Sequence, residues 1–233
     1  MRSGAVGTGE ARARKGKRKI TMAKKEKSTA INNVSNDGAH EISFGEPYLV
    51  EVKLTGTAPM LFHRWSCDAV EEKAKAAKGS KAKKSDNVES YIYRNDENEL
   101  CLPGEYIRQS IIMAAKFRQD PRSPRKSAMD LFKAGVVSLT ELCSLGVTEW
   151  DYLDRRRVVI QRSAITRERP AMRAGWSATA QLQVLLPEYI TTDLLSDVLT
   201  NAGRLVGVGD FRPTFGRFRV DAFEQMNFAE AAE

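Results

Sequence analysis

Apolar and polar residues alternate along residues 47–56 and 176–186, and this period of two predicts half-buried β-strands. In the first segment Val50, Val52 and Leu54 share one face of the predicted strand. A closing strand is predicted over residues 215–223. Further strand-like runs occupy residues 91–93, 100–102, 136–139 and 155–165. The pattern therefore predicts a β-rich domain.

Two segments, residues 107–115 and 194–202, place their apolar residues on one face of a helix. A shorter helical segment is predicted over residues 127–134. The main elements then follow the order strand, helix, strand, strand, helix, strand. This is the ferredoxin-like or RRM-like βαββαβ plan, an α+β fold in which an antiparallel sheet carries two helices on one face. The open face of such a sheet is a common place for RNA or single-stranded DNA to bind.

One domain of ordinary size, flanked by tails, is predicted from the length of 233 residues. The periodic segments lie within residues 44–226. Residues 1–43 are polar and basic and predict a disordered tail, and residues 227–233 predict a short C-terminal tail. Within the domain, the segment 71–87 is rich in Lys, Ala and Ser and predicts a mobile insertion.

The positive charge is concentrated at the N-terminus. Residues 1–28 hold ten Lys or Arg and two Glu, a balance of +8, whereas the whole chain carries +7, so the remaining residues sum to −1. Any nucleic-acid surface of the domain must therefore be a local patch. Because Met22-Ala23-Lys24 resembles a translation start, two interpretations of residues 1–21 stay open, a basic arm or an upstream extension.

The potential metal ligands and thiols are few and scattered. Cys67, Cys101 and Cys143 show no Cys-x-x-Cys spacing, and His40 and His63 are the only histidines. This distribution argues against a zinc site and predicts a reducing cytoplasm. No apolar run approaches the roughly 18 residues that a membrane span needs. We therefore expect no metal, no small-molecule cofactor and no membrane association.

The most distinctive segment is a C-terminal glycine-rich loop, residues 207–217, which carries Gly207, Gly209 and Gly216. Glycines here predict positive φ or the close approach of another backbone. Phe215 is suited to stack on a base, and the neighbouring arginines are suited to bind phosphate. Because no Lys-Ser/Thr follows the glycines, this is not the phosphate loop of a nucleotide-binding enzyme. The plain alternative is a helix C-cap followed by an ordinary turn.

Three local patterns, in order on this plan, resemble the RAMP superfamily, the RRM-like proteins of CRISPR systems. They are Leu54-Thr55-Gly56-Thr57-Ala58-Pro59-Met60-Leu61, Leu100-Cys101-Leu102-Pro103-Gly104 before a helix that carries Arg108, and Gly207-Val208-Gly209 with Phe215-Gly216-Arg217-Phe218. The chain is most similar to the backbone subunits that polymerise along guide RNA, over roughly residues 48–223, and phage-borne relatives share this skeleton. It departs from those subunits in its smaller size and in having fewer loop glycines.

The resemblance implies that the glycine-rich loop and a protruding Arg-rich hairpin, or thumb, contact a nucleic-acid backbone. The hairpin is expected over residues 162–175, and its alternative is a solvated loop without a binding role. The implied nucleic-acid-binding residues are Arg108, Arg162, Arg167, Arg169, Arg173, Gly207, Gly209, Arg212, Phe215, Gly216 and Arg217. On this basis, Gly209→Val is expected to weaken binding far more than stability.

Together these features predict a non-catalytic protein that coats or polymerises along RNA or single-stranded DNA. Its expected partners are single-stranded nucleic acid and further copies of itself in a homo-oligomer or helical filament. The expected location is the cytoplasm of a bacterial cell or of a phage-infected host. Two alternatives stay open. One is a metal-independent RNA endonuclease that uses His63 as general acid and base, and the other is a structural subunit that assembles with itself or with another protein.

Overall fold

The computed structural model describes residues 45–65, 67, 71, 75, 87–160 and 163–226. The predicted tails at 1–43 and 227–233 lie outside the described residues, as do Arg162 and most of the predicted insertion at 71–87. No helix in the described ranges is long and apolar enough to cross a membrane.

Twelve strands and three α-helices have both ends within the described residues. The strands are β1 Tyr48–Gly56, β2 Met60–Leu61, β3 Tyr93–Arg94, β4 Leu100–Pro103, β5 Gln119–Asp120, β6 Ser123–Ser127, β7 Val136–Ser138, β8 Leu142–Ser144, β9 Tyr152–Ile160, β10 Ser163–Met172, β11 Ser177–Val184 and β12 Phe218–Met226. The helices are α1 Gly104–Ala115, α2 Met129–Gly135 and α3 Thr192–Asn201. A 3₁₀ turn spans Val88–Tyr91, and a π-helical turn spans Ala202–Val206.

A four-stranded antiparallel sheet in the order β12-β1-β11-β7 forms the centre of the domain. The helix α1 lies in the chain between β1 and β7, and α3 lies between β11 and β12. In chain order the four strands are β1, β7, β11 and β12. The last strand, β12, therefore pairs with the first, β1, and β1 also pairs with the third, β11. This connectivity confirms the predicted α+β fold on the βαββαβ plan.

The alternating pattern of β1 and β11 buries one face of this sheet. Val50, Val52 and Leu54 on β1 are fully buried, and Ala180 and Leu182 lie opposite or beside them on β11. The apolar faces of α1 and α3 belong to the same core, through Ile107, Ile111, Leu195, Val198 and Leu199. Burial of these side chains is the main source of stability, at roughly 1.5–3 kcal/mol for each large one.

The strand predicted over residues 155–165 is wrong, because the chain turns back within it. The first half belongs to β9 and the second to β10, and Ile160 pairs with Ser163 across the turn. The hairpin expected over residues 162–175 therefore begins ten residues earlier, at Tyr152. The residues around the turn include no Gly, Pro or Asn, and β-branched residues that favour strands lie on both sides of it, Val158, Val159 and Ile160 before it and Ile165 and Thr166 after it. The sequence thus lacks the usual signal of a hairpin turn.

The remaining elements match the predictions only in part. The closing strand begins at Phe218, so Phe215 and Gly216 belong to the glycine-rich loop. The strand-like runs predicted at residues 91–93 and 100–102 correspond in part to β3 and β4, which pair with each other as a hairpin. The two-stranded sheet of β5 and β6 was not predicted, because its residues are mostly polar and charged.

Candidate nucleic-acid interface

The glycine-rich loop is fixed to β2 and to the residue before it by backbone hydrogen bonds. The Asp210 amide donates to the Leu61 carbonyl at 3.0 Å, and the Gly216 amide donates to the Pro59 carbonyl at 2.7 Å. Within the loop, the Val208 amide donates to the Gly216 carbonyl at 2.9 Å. The loop therefore has one defined shape before any ligand binds.

The backbone conformation and the close backbone packing of this loop require its glycines. Gly207, Gly209 and Gly216 all have positive φ, between 72° and 77°. A Cβ on Gly209 would lie 2.5 Å from the Leu61 carbonyl oxygen, and one on Gly207 would lie 2.8 Å from the Gly216 carbonyl oxygen. Gly209→Val should therefore lower stability as well as binding, since the valine would be strained and would collide with the backbone.

Asp210 joins the loop to the β9–β10 hairpin. Its carboxylate lies 3.3 Å from Nε of Arg169 and 3.7 Å from a terminal nitrogen of Arg167. The Arg169 side chain is only 3% exposed, and its guanidinium carbon lies 3.7 Å from the centroid of the Tyr91 ring. The sequence prediction placed Arg169 at the nucleic acid. The structure instead gives it a buried, structural position under the loop, whereas Arg167 stays partly exposed.

Arg156 on β9 lies against two phenylalanines of the loop. Its guanidinium carbon is 4.7 Å from the ring centroid of Phe211 and 4.5 Å from that of Phe215. The Asp154 carboxylate accepts two hydrogen bonds from this guanidinium, at 2.5 and 2.7 Å, and these bonds raise the pKa of Arg156. Both phenylalanine side chains are half-buried. The contact thus holds flat side chains at the surface beside a permanent positive charge.

Aromatic residues also flank the other side of the loop. The rings of His63 and Tyr91 are stacked, with centroids 6.4 Å apart and planes 28° apart. The Tyr106 hydroxyl donates to the His63 carbonyl at 2.5 Å, and burial raises the pKa of this phenol. Tyr106 is therefore a protonated hydrogen-bond donor at neutral pH.

A cavity of about 340 Å³, hereafter the His63 cavity, opens between the loop and the side of the domain that carries His63 and Tyr106. Its lining residues are His63, Tyr106, Gln109, Gly209, Asp210 and Arg212. Arg212 is exposed at its edge. The cavity thus combines a flat ring, polar groups that can bind a base edge, and a cation that can bind a phosphate.

Arg108 does not join this group. Its Nε donates to the Val136 carbonyl at 2.6 Å, and its terminal nitrogens donate to the Lys133 carbonyl at 2.7 Å and to the Glu105 carboxylate at 2.8 Å. These contacts connect α1 with the C-terminal end of α2, where a cation is favourable. We therefore correct the sequence assignment, since the structure makes Arg108 a packing residue.

Two further predicted residues lie at separate surfaces. The Arg173 guanidinium carbon is 5.5 Å from the ring centroid of Tyr152, at the base of the hairpin. Arg217 lines a different cavity of about 350 Å³ together with Arg204 and Thr57. The structure thus groups Arg167, Arg169, Arg212 and Phe215 around the loop glycines, and it adds Arg156, Tyr91 and Phe211, which the sequence analysis did not single out.

The sheet face opposite α1 and α3 has a different character. It carries Glu51 and Lys53 from β1 and Thr179, Gln181 and Gln183 from β11. Among the described residues of the four central strands, none on this face is aromatic. Bases can therefore stack on the phenylalanines of the loop but find no aromatic ring among the described residues on this face of the sheet.

The described ranges contain no group of three His, Cys, Asp or Glu that could hold a metal ion.

No protein-family model matches the chain, and no curated protein matches it. Among solved structures, the chain is similar to one in the "Cryo-EM structure of the Type III-B Cmr-beta bound to cognate target RNA". That similarity has 9% sequence identity and a TM-score of 0.48, over 78% of this chain and 61% of that chain. The chain thus spans less than two thirds of that neighbour's length.

Proposed function

We propose that the chain binds single-stranded nucleic acid, without cleaving it, along the glycine-rich loop between the β9–β10 hairpin and the His63 cavity. The observation that carries this proposal is the contact of Arg156 with Phe211 and Phe215. It places two aromatic rings and a cation at one surface, beside the exposed Arg212. The proposed ligand is RNA or single-stranded DNA.

Local charge supports an anionic ligand. Four arginines surround the loop, Arg156, Arg167, Arg169 and Arg212, against two carboxylates, Asp154 and Asp210, which leaves an excess of two positive charges. The domain outside the basic N-terminus is close to neutral, so this excess is a local feature. A local cluster of arginines attracts phosphates to this part of the surface, whereas the near-neutral remainder of the domain does not attract them.

The aromatic side chains at this surface favour a single strand over a duplex as the ligand, because they can stack on bases. Aromatic rings at a surface can stack on bases only when those bases are unpaired and turned outward. Because Phe211 and Phe215 are already held by Arg156, little side-chain freedom is lost when a base joins the stack. Stacking of this kind tolerates any base, so we propose that the protein binds many sequences.

The hairpin supports a role in assembly along the strand. β9 and β10 pair over nine residues, and Val159 near the turn is 68% exposed. A large apolar side chain in such a position is suited to insert between bases or to contact a neighbouring copy. We therefore propose that successive copies coat one strand and that the hairpin reaches from each copy to the next.

Cleavage by His63 is the second candidate, because His63 lines a cavity with Tyr106, Asp210 and Arg212. Two of these groups are already engaged. The Tyr106 hydroxyl binds the His63 carbonyl, and the Asp210 carboxylate contacts Arg169. Neither is positioned by these contacts to orient the His63 ring for proton transfer. We accordingly propose a binding role for His63.

The proposal is tested by titrating the full chain with single-stranded RNA, single-stranded DNA and duplex RNA of equal length. We expect the tightest binding to a single strand, saturation at a fixed number of nucleotides per protomer, and intact strands after long incubation. Equal affinity for the duplex would contradict the stacking argument. Shortened strands that accumulate in proportion to time, and disappear with His63→Ala, would favour the nuclease.

A further inference from the structure

A second cavity lies on the other side of the same loop residues. It measures about 490 Å³ and lies against the C-terminal end of α1, the π-helical turn Ala202–Val206 and the loop. We call it the Phe117 cavity, and its side chains include Met113, Lys116, Phe117, Leu205 and Pro213. It shares Gly209, Asp210 and Arg212 with the His63 cavity, so the two cavities adjoin across the loop.

Exposed apolar side chains are concentrated at this cavity. Met113 is 41% exposed, Phe117 is 54% exposed and Leu205 is 46% exposed. They are three of the eight large hydrophobic side chains that the described part of the chain exposes. Such clustering costs solvation free energy and is typical of a surface that binds a partner.

The charges at the rim indicate what kind of partner fits. The Lys116 ammonium lies 4.8 Å from the centroid of the Phe117 ring, and Arg212 is an exposed residue of the same lining. The one carboxylate of the lining, on Asp210, contacts Arg169 and Arg167. The partner should therefore carry negative charge close to a flat apolar group, which is the chemistry of a nucleotide.

We infer that the Phe117 cavity holds a nucleobase of the same strand, next to the nucleotide at the His63 cavity. Arg212, which both cavities share, then contacts the phosphate between the two nucleotides. This inference rests on the proposed function and adds a second, adjoining nucleotide position. Met113, Phe117, Leu205 and Pro213 have no side-chain group that pairs with a base edge, so this position accepts any base.

The test uses RNA oligomers that carry 2-aminopurine at one position at a time, a base whose fluorescence falls when it stacks. With the full chain we expect quenching at two adjacent positions. Phe117→Ala should abolish the quenching at one of them and weaken binding by about 5- to 100-fold. Phe117→Trp should restore both effects. Leu139→Ala, which removes another exposed apolar side chain outside this cavity, is the matched control and should change neither.

The outcomes separate this inference from the proposed function. If the chain binds no single strand, the proposed function fails and the inference fails with it. If it binds RNA but Phe117→Ala keeps full affinity and the same quenching pattern, the inference alone is overturned. If Phe117→Ala instead changes the oligomeric state in sedimentation without RNA, the cavity binds a second copy and the nucleobase assignment is wrong.

Discussion

The guanidinium carbon of Arg156 lies 4.5 Å from the ring centroid of Phe215 and thereby connects the β9–β10 hairpin to the glycine-rich loop. The Asp210 carboxylate joins the same two segments through Arg169, so the Arg156 contact is a second connection between them. The Asp154 carboxylate fixes the guanidinium from behind with two hydrogen bonds. This arrangement is the basis of the interface that we propose.

Arg156→Ala should weaken single-stranded RNA binding by about 1–3 kcal/mol, because it removes a cation and releases the two phenylalanines. Fluorescence anisotropy with a labelled oligomer measures the change. The control is Arg155→Ala, which removes the neighbouring arginine of the same strand. Arg155 pairs with Glu168 at 2.6 Å, and as the neighbour of Arg156 in the strand it points to the opposite face. Equal losses from both variants would mean that only charge matters and that the stack has no role.

Gly209→Ala should destabilise the domain more than Gly146→Ala does. Both glycines have positive φ, 77° and 68°, so both substitutions cost about 1–2 kcal/mol of backbone strain. Only Gly209 also faces a backbone oxygen at 2.5 Å from the new Cβ, which adds about 1–3 kcal/mol, whereas Gly146 faces open space. Denaturant unfolding measures both. Equal destabilisation would show that the loop does not pack against Leu61 as described.

Much of the fold follows from local sequence, but the interface does not. The alternation of Val50, Val52 and Leu54 identifies β1 because each residue's face depends only on its neighbours in the strand. Arg156 lies between Arg155 and Arg157, and nothing in the local sequence distinguishes its role from theirs. Its role depends on Phe211 and Phe215, which are distant in the chain and come close only in the folded domain. A local pattern cannot contain that information.

The same limit explains the corrections to Arg108 and Arg169. Both are arginines beside predicted functional motifs, and the sequence offers no sign that their guanidinium groups are already occupied. Arg108 contacts the end of α2, and Arg169 contacts Asp210 and Tyr91. The glycines of the loop were predicted to need positive φ or the close approach of another backbone, and both are found. Which neighbour approaches them depends on the tertiary fold.

Salt dependence should distinguish a phosphate contact from a packing contact. Arg212→Ala should reduce the slope of log affinity against log salt by about 0.7, the value for one phosphate on a single strand. Arg108→Ala should leave the slope unchanged and lower the free energy of unfolding by about 1–3 kcal/mol, since three of its contacts are lost. A slope change for Arg108→Ala would restore that residue to the interface.

The three thiols should differ in reactivity. Cys67 is exposed, whereas burial raises the pKa of Cys101 and raises that of Cys143 to about 12. A higher pKa leaves less thiolate at pH 7.5, and thiolate is the reactive form. Iodoacetamide should therefore modify one cysteine in the native chain and all three in denaturant, as counted by mass spectrometry. Modification of Cys143 as fast as Cys67 would contradict the position of β8 in the core.

The most direct test of the central claim is photo-crosslinking of the full chain to single-stranded RNA that contains 4-thiouridine, with the crosslinked peptides identified by mass spectrometry. The basic N-terminal residues offer a competing, sequence-independent attraction for RNA. If the strand lies along the glycine-rich loop, crosslinks should fall on the peptides of Tyr91, Phe211 and Phe215, and Arg156→Ala should reduce them. Crosslinks confined to residues 1–43 would contradict the proposed interface.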